Sequence, residues 1–188
     1  MNAIDELITE HEAVKTTLRV LDNISHRIST SATISQIEHI EQLFEFFTVF
    51  VDKCHHGKEE ELLFPAMEAV GISREGGPIG VMLSEHQQGR DLVSKMKQDL
   101  GAYVNGDGNA AQAFKMHADA YVDLLNYHID KENEVLFPMA MKHLSAHRLA
   151  EMKSGFDRIE TERIGQGKHE AFHRMLEDLK SAYLTDSK

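Results

Sequence analysis

The feature that most restricts what this chain can fold into is an internal repeat carried by helical periodicity. Residues 7–18, LITEHEAVKTTL, align on residues 82–93, MLSEHQQGRDLV, at an offset of 75. Ile4 then falls on Ile79, Leu7 on Met82, Glu10 on Glu85, His11 on His86, Leu18 on Val93 and Leu21 on Met96. Further along, HHGKEEELLFPAM (55–67) aligns on HIDKENEVLFPMA (128–140) at an offset of 73. In the first segment Ile4, Leu7, His11, Val14, Leu18, Leu21 and Ile28 share one stripe at three- and four-residue steps, which is the period of an amphipathic helix. Such a helix must bury its stripe against another element. Two copies of one helical hairpin therefore predict a bundle.

The punctuation places the elements. Helices are expected at about 3–29, 36–71, 79–104 and 110–143, with shorter ones at 146–164 and 168–184. Ser35 with Glu38 reads as a capping box, Gly71 as a C-cap and Pro78 as a first helical residue. Phe114, Tyr121, Leu124, His128 and Val135 are expected to face inward on the fourth helix. Pro65 and Pro138 fall inside helical patterns, where each removes a donor and should bend its helix or end it early. No segment alternates with period two for long, so no strand is expected. The fold class is all-α: an up-down-up-down four-helix bundle over 3–143 with a helical extension over 145–184, forming one domain.

Composition removes several classes of function. The net charge is −11 and there is no basic run, a poor match to a phosphate backbone or an anionic membrane surface. Neither nucleic acid nor a membrane is expected as a partner. The single cysteine, Cys54, excludes an intramolecular disulfide and a CxxC pair; it reads as a small buried hydrophobe. The N-terminal MNAIDELITEHE lacks a basic targeting region, and the most apolar span, 43–51, is interrupted by Glu45. A cytoplasmic location is expected. The composition gives no oligomeric state.

The unusual count is twelve histidines. His11 and His86 occupy stripe positions that otherwise ask for a large apolar side chain. An uncompensated imidazole there is costly, and a buried carboxylate is costlier. His55 and Glu59 are four residues apart, as are His128 and Glu132, so each pair lies on one helix face with Cβ atoms about 5–6 Å apart. The repeat would bring two mirrored trios together. Four neutral imidazoles and two carboxylates supply most of the shell of two divalent ions, with the carboxylates able to bridge ions about 3.5–4 Å apart. His11, His55, Glu59, His86, His128 and Glu132 are thus the candidate metal ligands. Imidazole suits several transition metals, so the residues themselves do not name the ion. Glu10 and Glu85 are candidates to orient the imidazoles.

The order H…HxxxE…H…HxxxE, with KEEELLFP and KENEVLFP behind the paired ligands, resembles the hemerythrin-like, or HHE cation-binding, domain. The resemblance spans about residues 4–143. It implies a non-heme di-iron centre, oxo- or hydroxo-bridged by Glu59 and Glu132, with His11, His55, His86 and His128 as terminal ligands; zinc or manganese could substitute. Oxygen-carrying hemerythrins have an HxxxH pair where this chain has His128 and Glu132. The smaller histidine set favours reaction with dioxygen, peroxide or nitric oxide over reversible carriage. Iron–sulfur repair proteins of the family resemble this ligand set but carry an N-terminal cysteine-bearing segment, so the resemblance to that role is the weaker one. A non-enzymatic iron or oxygen sensor is the alternative.

Other histidines have plainer readings. His26, His39, His143 and His147 are expected to be solvated or hydrogen-bonded. His117 is eleven residues from His128, about 16 Å along the axis, too far to share its site. His56 and Glu60 offer a competing register on the second helix, but Ile129 and Asn133 stand at the matching positions. His56 is expected at the entrance to the site. HEAFH (169–173) fits the HExxH of zinc metalloproteases, without the glycine and histidine of the metzincin extension. His169 is alternatively expected near the bundle site.

Overall fold

A computed structural model of the chain describes residues 2–30, 37–165 and 167–184. Among these residues the structure is helical, with six helices and no strand. Helix α1 is Ala3–Thr30. Helix α2 runs without interruption over 37–69, and α3 is Pro78–Val104. Helix α4 spans 110–143, α5 is Ala146–Arg163 and α6 is Lys168–Tyr183. The expected boundaries agree with these within two residues. Ser35 lies outside the described residues, so the proposed capping box is not described.

The termini follow local chemistry. Pro78 opens α3, where its missing N–H costs nothing. Helix α2 closes in a Schellman motif: Gly71 has φ +90°, its N–H bonds the Glu68 carbonyl at 3.0 Å and Ile72 N–H bonds the Met67 carbonyl at 3.1 Å. Ser145 caps α5 by accepting from Arg148 N–H.

Neither internal proline ends its helix. Each is absorbed by a π-helical turn, Glu59–Leu63 before Pro65 and Glu132–Leu136 before Pro138. Phe64 N–H bonds the Glu59 carbonyl and Phe137 N–H bonds the Glu132 carbonyl, five residues back. The wider turn makes room for a ring that would clash with an α-helical carbonyl. It also shifts the inward face by one residue. Val135, expected inward, is 50% exposed, and Leu136 is buried instead.

Helix α1 packs against α4, α5 and α6, and α3 packs closely on α4. Two apolar clusters form. One includes Val14, Leu18, Cys54, Val93, Leu125 and Ile129; the other includes Ile4, Leu7, Leu63, Met82, Leu136 and Phe156. On every helix of the first four, the matched histidines and glutamates lie between residues of the two clusters. The core is therefore split by one polar layer.

No described helix is long and apolar enough to cross a membrane.

Candidate metal centre

All six predicted ligands are buried: His11, His55, Glu59, His86, His128 and Glu132 are each 2% exposed or less. Each imidazole from one hairpin helix faces the imidazole of the other. His11 Nε2 stands 3.1 Å from His55 Nε2, and His86 Nε2 stands 3.2 Å from His128 Nε2. Glu132 reaches both His11 (3.1 Å) and His128 (3.2 Å). Glu59 reaches both His86 (3.4 Å) and His55 (3.9 Å). Each carboxylate thus spans from its own hairpin to the other. None of their four oxygens is in a hydrogen bond.

The outward ring nitrogens decide what the inward ones can do. His55 Nδ1 meets Glu10 Oε2 at 2.7 Å, and His128 Nδ1 meets Glu85 Oε2 at 2.9 Å. His86 Nδ1 meets Glu60 Oε1 at 2.7 Å, and His11 Nδ1 meets Asn133 Oδ1 at 3.0 Å. All four partners are acceptors, so each Nδ1 donates and a neutral ring presents its lone pair at Nε2. Two Nε2 lone pairs at about 3 Å repel unless a cation lies between them. The donor set and the orphaned carboxylates fit a cation at each pair.

The twofold relation extends outward. Lys58 donates to Glu10 at 2.5 Å, and Lys131 donates to Glu85. Phe137 stacks on His11 at 5.5 Å and Phe64 on His86 at 5.9 Å, which accounts for the repeated LFP. The two halves differ in cover. Lys58 is fully buried, held also by Glu6 and lying 5.5 Å over the Phe156 ring of α5, whereas Lys131 is 42% exposed. Glu6, Glu10 and Glu160 converge on Lys58.

The sequence anticipated Glu10 and Glu85 but not four other positions, Lys58, Lys131, Glu60 and Asn133. Lys58 and Lys131 sit at the same offset of 73 inside the matched segments, a legible signal. Glu60 and Asn133 also correspond; they differ in charge but both accept from an imidazole. On the second helix His55 faces His11 and Glu59 reaches His86 of the opposite hairpin, while Glu60 supports His86 from outside. His56 is buried, stacks on His86 at 3.7 Å and 11°, and its Nδ1 has no hydrogen-bond partner. One ring nitrogen of His56 lies close enough to Glu59, His86 and His128 to share an ion with them.

The charges on these side chains are uneven. Burial, and next the Glu132 carboxylate, push the Glu59 carboxyl well above its usual range. Burial acts the same way on Glu132, but His128 and His11 overcome it and hold that carboxyl well below. Burial disfavours a charged His128 ring, yet Glu132 and Glu85 push it up to about 10. Burial and the surrounding imidazoles keep His56 well below the ordinary histidine value.

The remaining histidines lie elsewhere. His117 meets Asp99 at 2.6 Å, and His39 meets the Tyr183 hydroxyl at 2.8 Å. His26, His143 and His147 are exposed. His169 and His173 bring their Nε2 atoms within 2.9 Å, but no third metal-binding side chain joins them among the described residues. His169 Nδ1 instead lies 2.8 Å from Glu160 Oε1. Cys54 is buried, and burial pushes its thiol up to about 12.

An uncharacterized protein of Mycobacterium tuberculosis is 24% identical over 166 residues, 88% of this chain and 64% of that protein. An uncharacterized protein of Mycobacterium bovis matches at the same identity and coverage. The chain thus spans about 64% of the length of these relatives. The iron-sulfur cluster repair protein YtfE of Salmonella paratyphi B is 37% identical over 91 residues, 46% of this chain and 40% of that protein. Residues 2–140 match the Hemerythrin HHE cation binding domain. That span contains all six buried ligand candidates, and the chain belongs to the hemerythrin HHE cation-binding family.

Proposed function

We propose that the chain is a di-iron protein of hemerythrin type that binds or reacts with a small oxidant: dioxygen, peroxide or nitric oxide. His11, His55 and Glu132 would hold one ion, and His86, His128 and Glu59 the other, the two carboxylates bridging. The observation that carries this reading is the convergence of four Nε2 atoms and two buried carboxylates whose oxygens have no hydrogen bond. Iron is favoured by the family and by the iron-sulfur cluster repair role named for the Salmonella relative. The pairing of α1 with α4 and of α3 with α4 supports an up-down-up-down bundle over 3–143, with 145–184 as an extension of one domain.

Bound ions would supply Lewis acidity and redox capacity. The protein's own residues do the rest. Glu10, Glu60, Glu85 and Asn133 fix the imidazole tautomers. Phe64 and Phe137 hold two of the ring planes, and the apolar clusters on either side exclude water.

A sensor reading is favoured by one observation. His55 is linked through Glu10, Lys58 and Glu160 to His169 on α6, joining the polar layer to an outer face. Anaerobic loading with ferrous iron, followed by elemental analysis and an optical spectrum, tests the main reading. About two irons per chain are expected. Fewer than one would overturn it. Turnover of peroxide or nitric oxide by the loaded protein would then separate an enzyme from a sensor.

A further inference from the structure

The repeat supplies an internal control, because every feature at the α2–α3 interface has a counterpart at the α4–α1 interface. The counterparts are not alike. A cavity of about 320 Å³ lies between α2 and α3. Its buried end is formed by His56, His86, Gly89 and Tyr121, and its outer end reaches Ser94 and the exposed Lys97. At the offsets that relate the copies, Gly89 corresponds to Val14 and His56 to Ile129. Val14 and Ile129 are both buried, 1% exposed, within the larger apolar cluster. Helices α1 and α4 pack closely along that side, whereas α2 and α3 are more loosely joined.

We infer that small ligands reach the polar layer through the α2–α3 cavity and not across the mirrored interface. Gly89 leaves open the volume that a valine occupies in the other copy. His56 places a ring nitrogen without a hydrogen-bond partner at the inner end, where the other copy has only hydrocarbon.

The walls also select by charge. Arg90 Nε lies 2.6 Å from Asp52, and its terminal nitrogen lies 2.6 Å from Glu60. The guanidinium is therefore matched by two carboxylates and offers no unpaired charge to an anion. Phe47, Val51, Val93 and Tyr121 make the remaining inner wall apolar. At the mouth Lys97 donates to Thr48 at 2.9 Å. This lining suits a small uncharged molecule with at most one hydrogen-bonding end. That class includes dioxygen and nitric oxide; hydrogen peroxide, which hydrogen-bonds at both ends, and azide and other anions fall outside it. The inference rests on the reading of the polar layer as a di-metal centre only for its consequence, not for the cavity itself.

The test has two arms. In the ion-free protein, xenon is titrated while the methyl resonances of Val51 and Val93 are followed, since an apolar cavity takes up xenon. Saturable shifts are expected at both valines. Gly89→Leu should abolish them while far-ultraviolet dichroism and cooperative unfolding persist. A methyl added at Gly89 meets Tyr121 and Leu125 at ordinary contact distances of 3.6 and 3.7 Å. Gly89→Ala therefore folds even if the leucine variant does not, and it should weaken xenon binding without abolishing it. In the iron-loaded protein, Gly89→Leu should slow oxidation by dioxygen about tenfold or more with metal content unchanged, and Val14→Leu on the mirrored side should not. Xenon shifts that survive in both Gly89 variants, or that map to Val14 and Ile129, would overturn the inference. So would an oxidation rate insensitive to Gly89→Leu. If wild type takes up no iron, the metal reading fails, and the xenon arm alone decides the cavity.

Discussion

At the residue scale, the site is a problem of proton placement. Each imidazole gives Nδ1–H to an acceptor and turns Nε2 toward the polar layer. Replacing a charged acceptor by a neutral one should weaken its hold on the ring and lower metal affinity about 10–100-fold. Glu10→Gln and Glu85→Gln should both show this loss in a chelator competition. They should differ in stability. Glu10→Gln also takes one of three counter-charges from Lys58, which is fully buried, and should cost about 1.5–3 kcal/mol in urea unfolding of the metal-free protein. Glu85→Gln leaves an exposed lysine and should cost less than about 1 kcal/mol. Equal costs would contradict the difference in cover.

Proton competition sets a second expectation. Metal binding needs His128 neutral, and in the ion-free protein its ring titrates at about 10. Because that value is raised, the proton is held throughout the neutral range and must be displaced by the ion. Apparent affinity should therefore keep rising from pH 7 to pH 9. The loss below about pH 6 that free imidazoles would suggest is only the lower part of this dependence. A competition titration that is flat above pH 7 would contradict the assignment of the proton to His128.

At the element scale, π turns do what an ideal helix cannot. Both follow the pattern Glu-x5-Pro, and both begin at a carboxylate of the polar layer. A third π segment, Phe46–His56, exists only in the first copy. Downstream of it the copies match at 73, as His55 does with His128. Upstream, the buried residues match at 74, as Phe47 does with Tyr121 and Ile40 with Phe114. The segment behaves as one inserted residue, which slides the upper part of α2 relative to its counterpart.

The seat of α5 on α2 is equally local. A Cβ at Gly155 would lie 2.7 Å from Leu62 Cδ1. Gly155→Leu should lift α5 from α2, uncover Lys58 and cost about 1–3 kcal/mol. Gly155→Ala should cost much less, because the Leu62 tip can turn aside and alanine gains about 1 kcal/mol in helix propensity. Urea midpoints of the two variants check this order.

At the scale of the whole molecule, one polar layer divides the core and links stability to pH. Burial opposes ionisation of Glu10, Glu60 and Glu85, but hydrogen bonds from His55, His86 and His128 lower all three carboxyls below the ordinary glutamate value of 4.5. A lowered folded value means that the unfolded chain binds these protons more readily. Their contribution is then present above pH 4.5 and is lost as pH falls through the folded values. Urea unfolding of the ion-free protein should show stability dropping steeply below about pH 4.5. A stability unchanged between pH 5 and pH 3 would contradict it.

Much of this was legible beforehand, for stated reasons. Apolar period, glycine caps and Pro78 are local, so the helix boundaries could be read directly. The six ligand candidates were legible because the repeat preserves both residue types and their spacing. Glu60 and Asn133 were not, because shared hydrogen-bond acceptance is hidden when one residue is charged and the other is not. Val135 was misplaced because a π turn rotates the face without changing the sequence pattern. The order of residues alone determined that the chain is helical, duplicated and supplied with paired imidazole and carboxylate donors, since each of these depends on neighbours within a few turns. Only the tertiary structure decided which nitrogen of each ring points inward, which lysine is buried and which interface stays open. Those outcomes depend on contacts between helices that lie far apart in the chain.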